Sequence, residues 1–591
     1  MIFETIFNSP VPITGLHLEN FFSKVFDPEI WLDFFLAQFG FLLVIVLPGL
    51  GLSYILQPKI LDRGLRLSFG FALGFLFPVL LFYLLGFTHL YFRGIWAAAA
   101  VLLGAIPLVI YRKRFWEEWT AQPPNWKSIL FYGSIGLYFL ISYISLHFYG
   151  TLDADILFGQ AGPAKHLFET HVYKPFDMGV LPIHRHELFP GPISFHSAFS
   201  LFGAPSWVAV TAVMVVLAPL MLRMVGQLSE GLMKKTEFLT AFLSLTTFAG
   251  FRMRGGRGTI LALTFLFGFL LLPQIFTELK GKEKVSLKWL WRPILSGSIF
   301  VALSLYTNIE IAAILLGVMA VMGVVALCSG HTSWYRSICL SAAGGFLLFT
   351  PWFVTVALLV FPEQLVLMSG VYVALILLTA GLSFIPGMKG NEKKIETVLL
   401  ALVLGLFVWV TALGQFESVF RLSGYLVYAA AASAVLFYFL AFKNPNLTRD
   451  SWFLSIWIFA LGFIALMPYF HPLATALGVP ESLNYFLFDK ELGSVFPETR
   501  AKIHEYFLPF FGVTLVALSL AFFRRFWVWP RWIYQGVVIV IVFVLAVRLH
   551  ESDFLPYPKG QTLTANVDIM LVSSLVFEKT PPWFNESYQE V

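Results

Sequence analysis

The stretch Trp31–Leu56 reads WLDFFLAQFGFLLVIVLPGLGLSYIL and contains a single charged residue, Asp33. A helix needs about 20 apolar residues to cross the hydrocarbon of a bilayer, and this run is long enough. Backbone groups in lipid find no water, so a spanning segment must be a helix or part of a closed barrel. Barrel strands are runs of about ten residues with alternating character. The stretch therefore predicts a transmembrane helix.

Similar runs recur along the whole chain, and we predict about sixteen spans. They are Trp31–Leu56, Leu65–Phe87, Gly94–Tyr111, Ile129–Phe148, Trp207–Leu228, Phe238–Phe251, Thr259–Phe276, Pro293–Tyr306, Ile311–Cys328, Ser337–Phe361, Gln364–Ile385, Thr397–Leu413, Leu422–Phe442, Trp452–Phe470, Tyr506–Phe523 and Trp532–Leu549. Two of them, Phe238–Phe251 and Pro293–Tyr306, are short for a full crossing. The expected fold class is an all-α, polytopic membrane protein.

Composition agrees with this fold class. Of 591 residues, 58% are hydrophobic and 12% are charged, against about a quarter charged in a soluble domain. The net charge of +5 is spread over small clusters between apolar runs, which indicates membrane topology and excludes a nucleic-acid-binding protein. The two cysteines, Cys328 and Cys339, form no CxxC pair, and we interpret them as small core residues.

Basic residues are distributed unequally between the two sets of loops. The loops after odd-numbered spans carry most of the 39 Lys and Arg residues, although the longest loops belong to the other set. By the positive-inside rule the first set faces the cytoplasm. We therefore expect the chemistry on the non-cytoplasmic face, in the long polar segments 149–206, 471–505 and 551–591.

An acid pair, Asp153-Ala154-Asp155, directly follows the fourth predicted span. The first interpretation is a helix N-cap or a solvated loop. The second is a general base held at the membrane boundary by a rigid helix end. A short helix containing Lys165 and His166 comes next, and a proline-rich loop then leads to the fifth span.

This order of elements resembles the catalytic front of the C-type (GT-C) superfamily of polytopic glycosyltransferases, which use polyprenyl-phosphate-linked sugars. In that family an acid pair after a membrane helix, an amphipathic stretch, a proline-rich turn and a re-entry into the membrane follow one another. The resemblance covers about Ile129–Leu228 and extends loosely to YTNIEIAAILLG at Tyr306–Gly317. Three additional spans precede Ile129, whereas the acid pair of family members usually follows the first span.

The resemblance implies three regions. Residues 1–128 are a three-span N-terminal membrane extension, residues 129–550 are the GT-C-like transmembrane region with external loops 149–206 and 471–505, and residues 551–591 are an external tail. The resemblance also implies catalytic roles for Asp153 and Asp155, on the external face of a bacterial cytoplasmic membrane. Of the two, we favour Asp153 as the base because it lies nearer the end of the fourth predicted span.

A second candidate element, Arg252-Met253-Arg254-Gly255-Gly256-Arg257, contains three arginines and two glycines. Guanidinium groups bind phosphate oxygens in pairs of hydrogen bonds, and glycines let the backbone approach. A donor-phosphate site is one interpretation, and contact with anionic lipid headgroups is the other. Arg500 and His504, in the late external loop, are further candidates for the donor phosphate; a solvated loop is the alternative there.

Polar contacts to substrate are predicted for a further set of residues: Lys165, His166, His184, Arg185, His186, Glu187 and Glu310. Two imidazoles and a carboxylate in the sequence His184-Arg185-His186-Glu187 could also converge on a metal ion, or belong to a solvated loop. Glu310 stands between two apolar runs, where an ionisable residue indicates function or marks a short turn. No cofactor is assigned, and a divalent cation such as Mg²⁺ or Mn²⁺ is left open.

The sequence thus predicts an enzyme, a membrane glycosyltransferase that moves a sugar from a polyprenyl-phosphate donor to a glycan, lipid or protein acceptor. The displacement inverts the anomeric carbon, with or without a metal ion. Two alternatives are a lipid-linked oligosaccharide transporter or flippase, and a polysaccharide polymerase or ligase. A transporter would place ionisable groups or broken helices at mid-membrane.

Overall fold

The computed structural model describes residues 25–59, 61–121, 126–146, 162–173, 190–204, 206–228, 258–280, 286–307, 309–360, 365–387 and 392–412, with a few positions between 452 and 476. Within these ranges all regular structure is helical, as predicted. Among the described residues, six helices are long and apolar enough to cross a membrane: Pro28–Leu56, Arg63–Gly86, Arg93–Ile110, Ala209–Leu228, Thr332–Thr355 and Leu365–Leu382. This supports a helical membrane protein.

The helices are numbered in chain order. They are α1 (Pro28–Leu56), α2 (Arg63–Gly86), α3 (Arg93–Ile110), α4 (Arg112–Thr120), α5 (Trp126–Leu146), α6 (Gly162–Thr170), α7 (Pro190–Phe199), α8 (Ser206–Leu228), α9 (Gly258–Leu270), α10 (Leu272–Ile275), α11 (Leu287–Thr307), α12 (Ile309–Cys328), α13 (Thr332–Val360), α14 (Leu365–Leu382) and α15 (Glu392–Ala412). The predicted spans Phe238–Phe251, Leu422–Phe442, Tyr506–Phe523 and Trp532–Leu549 lie outside the described residues.

Three segments differ from the prediction. Helix α11 begins six residues before Pro293, at Leu287, and has 21 residues, because a helix can continue through proline with a local loss of hydrogen bonding. Helices α4 and α7 fall in segments that were predicted to be loops. Both lack a long apolar run, and tertiary contacts rather than hydropathy stabilise them.

Prolines shape the first two spans. In α1 the segment Leu42–Val46 is a π turn, in which the amide of Leu47 bonds to the carbonyl of Leu42. Pro48 follows and has no amide hydrogen for the carbonyl of Val44, which explains the change of hydrogen-bond register there. In α2 the helix is interrupted at Phe75, where Pro78 likewise has no amide hydrogen for the carbonyl of Gly74.

The N-terminal spans pack directly against the helices that follow residue 128. The side chain of Gln38 in α1 donates to the carbonyl of Ala212 in α8. The hydroxyl of Tyr143 in α5 donates to the carbonyl of Ile30 in α1 at 2.9 Å. A single apolar core joins residues from α1 to α15. The contacts therefore cross the predicted boundary between residues 128 and 129.

Small residues permit close helix contacts. A Cβ atom on Gly49 of α1 would overlap the carbonyl oxygen of Gly70 in α2, and one on Gly344 of α13 would overlap Ser298 of α11. Such approaches are typical of helices that associate in membranes, where van der Waals contact replaces the hydrophobic effect.

The bundle has two polar ends. At the Arg66 end (residues 57–66, α4 and 275–280), Gln57 Nε2 donates to the carbonyl of Ile275 at 2.7 Å and Lys59 Nζ to Glu278 at 2.7 Å. Arg223 of α8 also reaches this end and binds Asp62 at 2.8 Å. The Tyr91 end comprises residues 86–93, 162–173 and the adjoining ends of α7 and α11.

Candidate functional site at the Tyr91 end

Helix α6 is the short helix that follows the acid pair in sequence. Its inner face buries Ala164, Leu167 and Phe168. The Phe168 ring contacts those of Tyr91 and Trp96, with centroids 5.2 and 6.1 Å away, and the Arg93 guanidinium lies 5.2 Å from its centroid. Apolar residues at positions i, i+3 and i+4 form one helix face, so α6 lies flat on the loop between α2 and α3.

The chain after α6 is fixed by a left-handed turn. His171 has φ 62°, and its amide bonds to the carbonyl of Leu167 at 3.0 Å, as in a helix C-terminal αL cap. Its ring stacks on that of Phe92 at a centroid distance of 3.9 Å. Two backbone bonds, Tyr91 N to His171 O at 3.4 Å and Tyr173 N to Gly86 O at 2.6 Å, complete the attachment.

Tyr91 connects this segment to α7. Its side chain is fully buried, and its hydroxyl donates to Ser197 Oγ at 2.9 Å, while Ser197 Oγ donates to the carbonyl of Ile193 at 3.0 Å. Burial raises the pKa of Tyr91 well above its usual value, and the bond to Ser197 lowers it less. The phenol therefore keeps its proton and remains a donor.

Helix α7 is buried at every one of its ten residues. Ten helical residues span about 15 Å, half of the hydrocarbon thickness, so α7 does not cross the membrane. A Cβ on Gly191 would lie 2.6 Å from the carbonyl oxygen of Tyr306 at the end of α11, and one on Gly40 of α1 would lie 2.5 Å from that of Ala198. The helix therefore enters the bundle from the Tyr91 end. The chain after it comes back to that end, where a Cβ on Gly203 would lie 3.9 Å from Arg93 Nη1.

His196 lies in α7. It follows the polar residues His184–Glu187 by less than ten positions in the sequence, but the structure shows it 1% exposed. It faces the ring of Phe199 with centroids 6.3 Å apart. His196 is thus packed inside the helical bundle and does not belong to a solvated loop.

Lys165 and His166 are the predicted site residues whose side chains the structure describes. Both are half-buried, and Lys165 Nζ lies 3.7 Å from Glu169 Oε1, with 24% of the lysine side chain exposed. They occupy the outer face of α6. An ammonium group and an imidazole are therefore available at the surface of the Tyr91 end.

The remaining predicted site residues are not described in the same detail. Glu310 lies in the first turn of α12, directly after the end of α11. The others lie outside the described residues: Asp153, Asp155, His184, Arg185, His186, Glu187, Arg252, Arg254, Arg257, Arg500 and His504.

Chain length limits the distance between some of these residues and the nearest described helix. A residue extends the chain by at most about 3.5 Å. Asp155 precedes Gly162 by seven residues and is thus within about 25 Å of it. Glu187 precedes Pro190 by three residues, which brings it within about 10 Å of α7.

The Tyr91 end is held together by contacts of Tyr91, Ser197 and His171, and the sequence did not indicate a role for these residues. Their partners are distant in the chain, and a tyrosine in an apolar context has no periodic signal. Of the three, His171 has the clearest signal in the sequence. It follows a short helix, and helices commonly end in a residue with positive φ.

A metal ion has no candidate ligand set among the described residues, where no group of three or more His, Cys, Asp or Glu side chains comes together. The ligands considered in the sequence, His184, His186 and Glu187, fall outside that part of the chain.

Comparison with protein-family models, with curated proteins and with solved structures found no match to this chain.

Proposed function

We propose that the chain is a membrane glycosyltransferase that transfers a sugar from a polyprenyl-phosphate donor to an acceptor hydroxyl at the Tyr91 end. The observation that carries the proposal is the position of the acid pair Asp153 and Asp155 in the chain, between two helices that the structure describes. The pair stands between the membrane helix α5 and the amphipathic helix α6, and α6 is attached to residues 86–96 by buried aromatic contacts and backbone bonds.

The helix that follows the arginine element begins in the same half of the bundle. Arg257 immediately precedes α9. Helix α10 follows α9, and its last residue, Ile275, accepts a hydrogen bond from Gln57 at the Arg66 end. Between these points, Phe265 of α9 contacts Phe195 of α7 at 6.4 Å between ring centroids. Gly258 is seven residues, or about 10 Å of helix, beyond Phe265. This supports one site that contains both the acid pair and the arginines.

In the proposed reaction the acceptor hydroxyl attacks the anomeric carbon of the donor sugar. Its proton passes to the carboxylate of Asp153, and Asp155 orients the base or the acceptor. The bond between the anomeric carbon and the phosphate oxygen breaks as the new bond forms, which inverts the configuration. The lipid phosphate leaves with its negative charge, which Arg252, Arg254 and Arg257 stabilise in a partly dehydrated pocket.

The distribution of charge supports an external site. Basic side chains gather at the Arg66 end, where Lys59, Arg63, Arg112 and Lys113 lie. The positive-inside rule assigns this end to the cytoplasm. The Tyr91 end then faces the outside of a bacterial cytoplasmic membrane, where polyprenyl-linked sugars would be used.

The test is sugar transfer from a polyprenyl-phosphate donor by the purified chain in liposomes. Parent protein is compared with Asp153→Asn and Asp155→Asn. Transfer by the parent and its loss in either variant support the proposal, and its absence in the parent across donor sugars rejects it.

A further inference from the structure

Helix α4 lies between α3 and α5 at the Arg66 end and has two different faces. Tyr111, Phe115, Glu118 and Trp119 are turned toward the protein, with Glu118 2% exposed. On the outer face Arg112, Lys113 and Glu117 are exposed, together with Trp116 at 68%. The sequence predicts a loop in this segment, and no residue of α4 takes part in the proposed reaction.

A buried ion pair holds α4 in place. Arg66 Nε lies 3.0 Å from Glu118 Oε1, and Arg66 Nη2 donates to Oε2 at 3.0 Å. Both side chains are essentially inaccessible. The same guanidinium donates to the carbonyls of Ser53 and Lys59 and lies 4.3 Å from the centroid of Tyr54. Removal of two charges from water is offset only by such complete pairing, so the inner face has one fixed orientation.

The outer face continues the lipid-facing side of α3. Leu102, Ile106, Val109 and Ile110 of α3 are 55–69% exposed, in a helix of 18 residues that spans about 27 Å. This nearly matches the hydrocarbon thickness. Arg112 is two residues beyond Ile110. The exposed cations therefore lie at the boundary between hydrocarbon and headgroups.

Trp116 is one helical turn from both Arg112 and Lys113, at spacings i+4 and i+3. Exposed tryptophan is typical of the membrane interface, where its ring enters the headgroup layer. Basic side chains there attract anionic lipid. Arg114, in contrast, is engaged with the carbonyl of Pro58. The lipid-directed group is thus Arg112, Lys113 and Trp116.

We propose that Arg112, Lys113 and Trp116 form a binding surface for the headgroup phosphate of anionic phospholipid in the leaflet at the Arg66 end. The two cations contact phosphate oxygens, and the indole inserts beside the glycerol backbone. The Arg66–Glu118 pair keeps this surface at the height of the headgroups. Because the surface is continuous with the apolar side of α3, the occupant is a membrane lipid and not a soluble anion.

The experiment measures thermal unfolding of the full chain in nanodiscs. Discs of phosphatidylcholine alone are compared with discs in which phosphatidylglycerol replaces part of it. A ligand that binds the folded state raises Tm, so phosphatidylglycerol should raise the Tm of the parent. The double variant Arg112→Gln, Lys113→Gln should lose at least half of that increase, and Trp116→Ala should reduce it.

The matched control is the exchange Arg112→Lys, Lys113→Arg, which keeps both charges and should retain the increase. An unchanged Tm in phosphatidylcholine shows that the variants fold. A full increase in the Gln variant would overturn the proposal. Inorganic phosphate added to phosphatidylcholine discs should have no effect; equal protection by it would assign the surface to a soluble anion and overturn the lipid assignment.

Discussion

The hydroxyl of Tyr91 donates a 2.9 Å hydrogen bond to Ser197 Oγ, and through this bond the loop between α2 and α3 is joined to the buried helix α7. The Tyr91 ring also contacts Phe168 of α6. One residue of the loop between α2 and α3 thereby touches both segments that flank residues 174–189. The N-terminal spans are accordingly part of the framework of the candidate site.

Replacement of Tyr91 by Phe should lower the free energy of unfolding by about 1 kcal/mol, the usual net value of one buried hydrogen bond. Tyr91→Ala should cost about 3–5 kcal/mol, because it also leaves a cavity. Denaturant titration of the purified variants measures both. Equal stability of Tyr91→Ala and the parent would contradict the packing described here. Tyr111→Phe, at the partly exposed start of α4, is the matched control.

Replacement of Glu118 by Gln should destabilise the protein by about 3–5 kcal/mol, since it leaves the buried Arg66 cation without its counter-charge. The double variant Arg66→Met, Glu118→Leu should recover most of this loss because no charge remains buried. Thermal unfolding of Arg66→Met, Glu118→Leu and their double variant provides the cycle. A loss in the double variant equal to the sum of the two single losses would show that the residues are not coupled.

The Lys59–Glu278 pair provides a pH test at the same end. Partial burial by itself raises the pKa of Glu278, but the hydrogen bond and charge of Lys59, with Arg292, bring it below its usual value. A lowered pKa in the folded state stabilises the fold above the unfolded pKa, and this contribution disappears as pH falls through the folded pKa.

Glu278→Gln should therefore lower Tm slightly at neutral pH and not at about pH 3, below the usual carboxylate range. The exposed lysine limits the effect to less than about 1 kcal/mol, because solvent screens the pair. Melting curves of parent and variant over this range supply the measurement. A difference that grows toward acid pH would contradict the assigned sign.

Orientation can be measured with single cysteines at exposed positions of the two ends, in a background in which Cys328 and Cys339 are Ala. Thr88→Cys represents the Tyr91 end and Glu117→Cys the Arg66 end. In intact cells an impermeant maleimide should label position 88 and not 117, because the basic end remains in the cytoplasm. The reverse pattern would move the candidate site to the inner face.

The helical spans could be predicted because long apolar runs have few alternatives in lipid. The predicted start and end of α12 differ from the structure by two residues or fewer. Helix α7 could not be predicted in the same way, since its Pro-Gly-Pro start and polar residues resemble a turn. The structure buries it because α1, α2, α8 and α11 surround it.

Long-range polar pairs could not be predicted either. In the sequence Glu118 simply follows Glu117, and its partner Arg66 is 52 residues away. Of the candidate site, Lys165 and His166 have described side chains; the acid pair and the arginine element stay predictions that rest on their order in the chain. Hydropathy locates helices but carries no information about which polar side chains meet.

The most direct test of the account is the rate of sugar transfer by Asp153→Asn and Asp155→Asn in liposomes that contain a polyprenyl-phosphate donor. Asparagine keeps the shape of the side chain but accepts no proton, and general-base catalysis contributes about 10²–10⁴-fold. Glu117→Gln, an exposed acid at the opposite end, is the control and should keep the parent rate. Melting temperature is measured in parallel to establish folding. We predict that at least one Asp variant loses about a hundredfold or more in turnover; transfer at the parent rate by both folded variants would contradict the glycosyltransferase account.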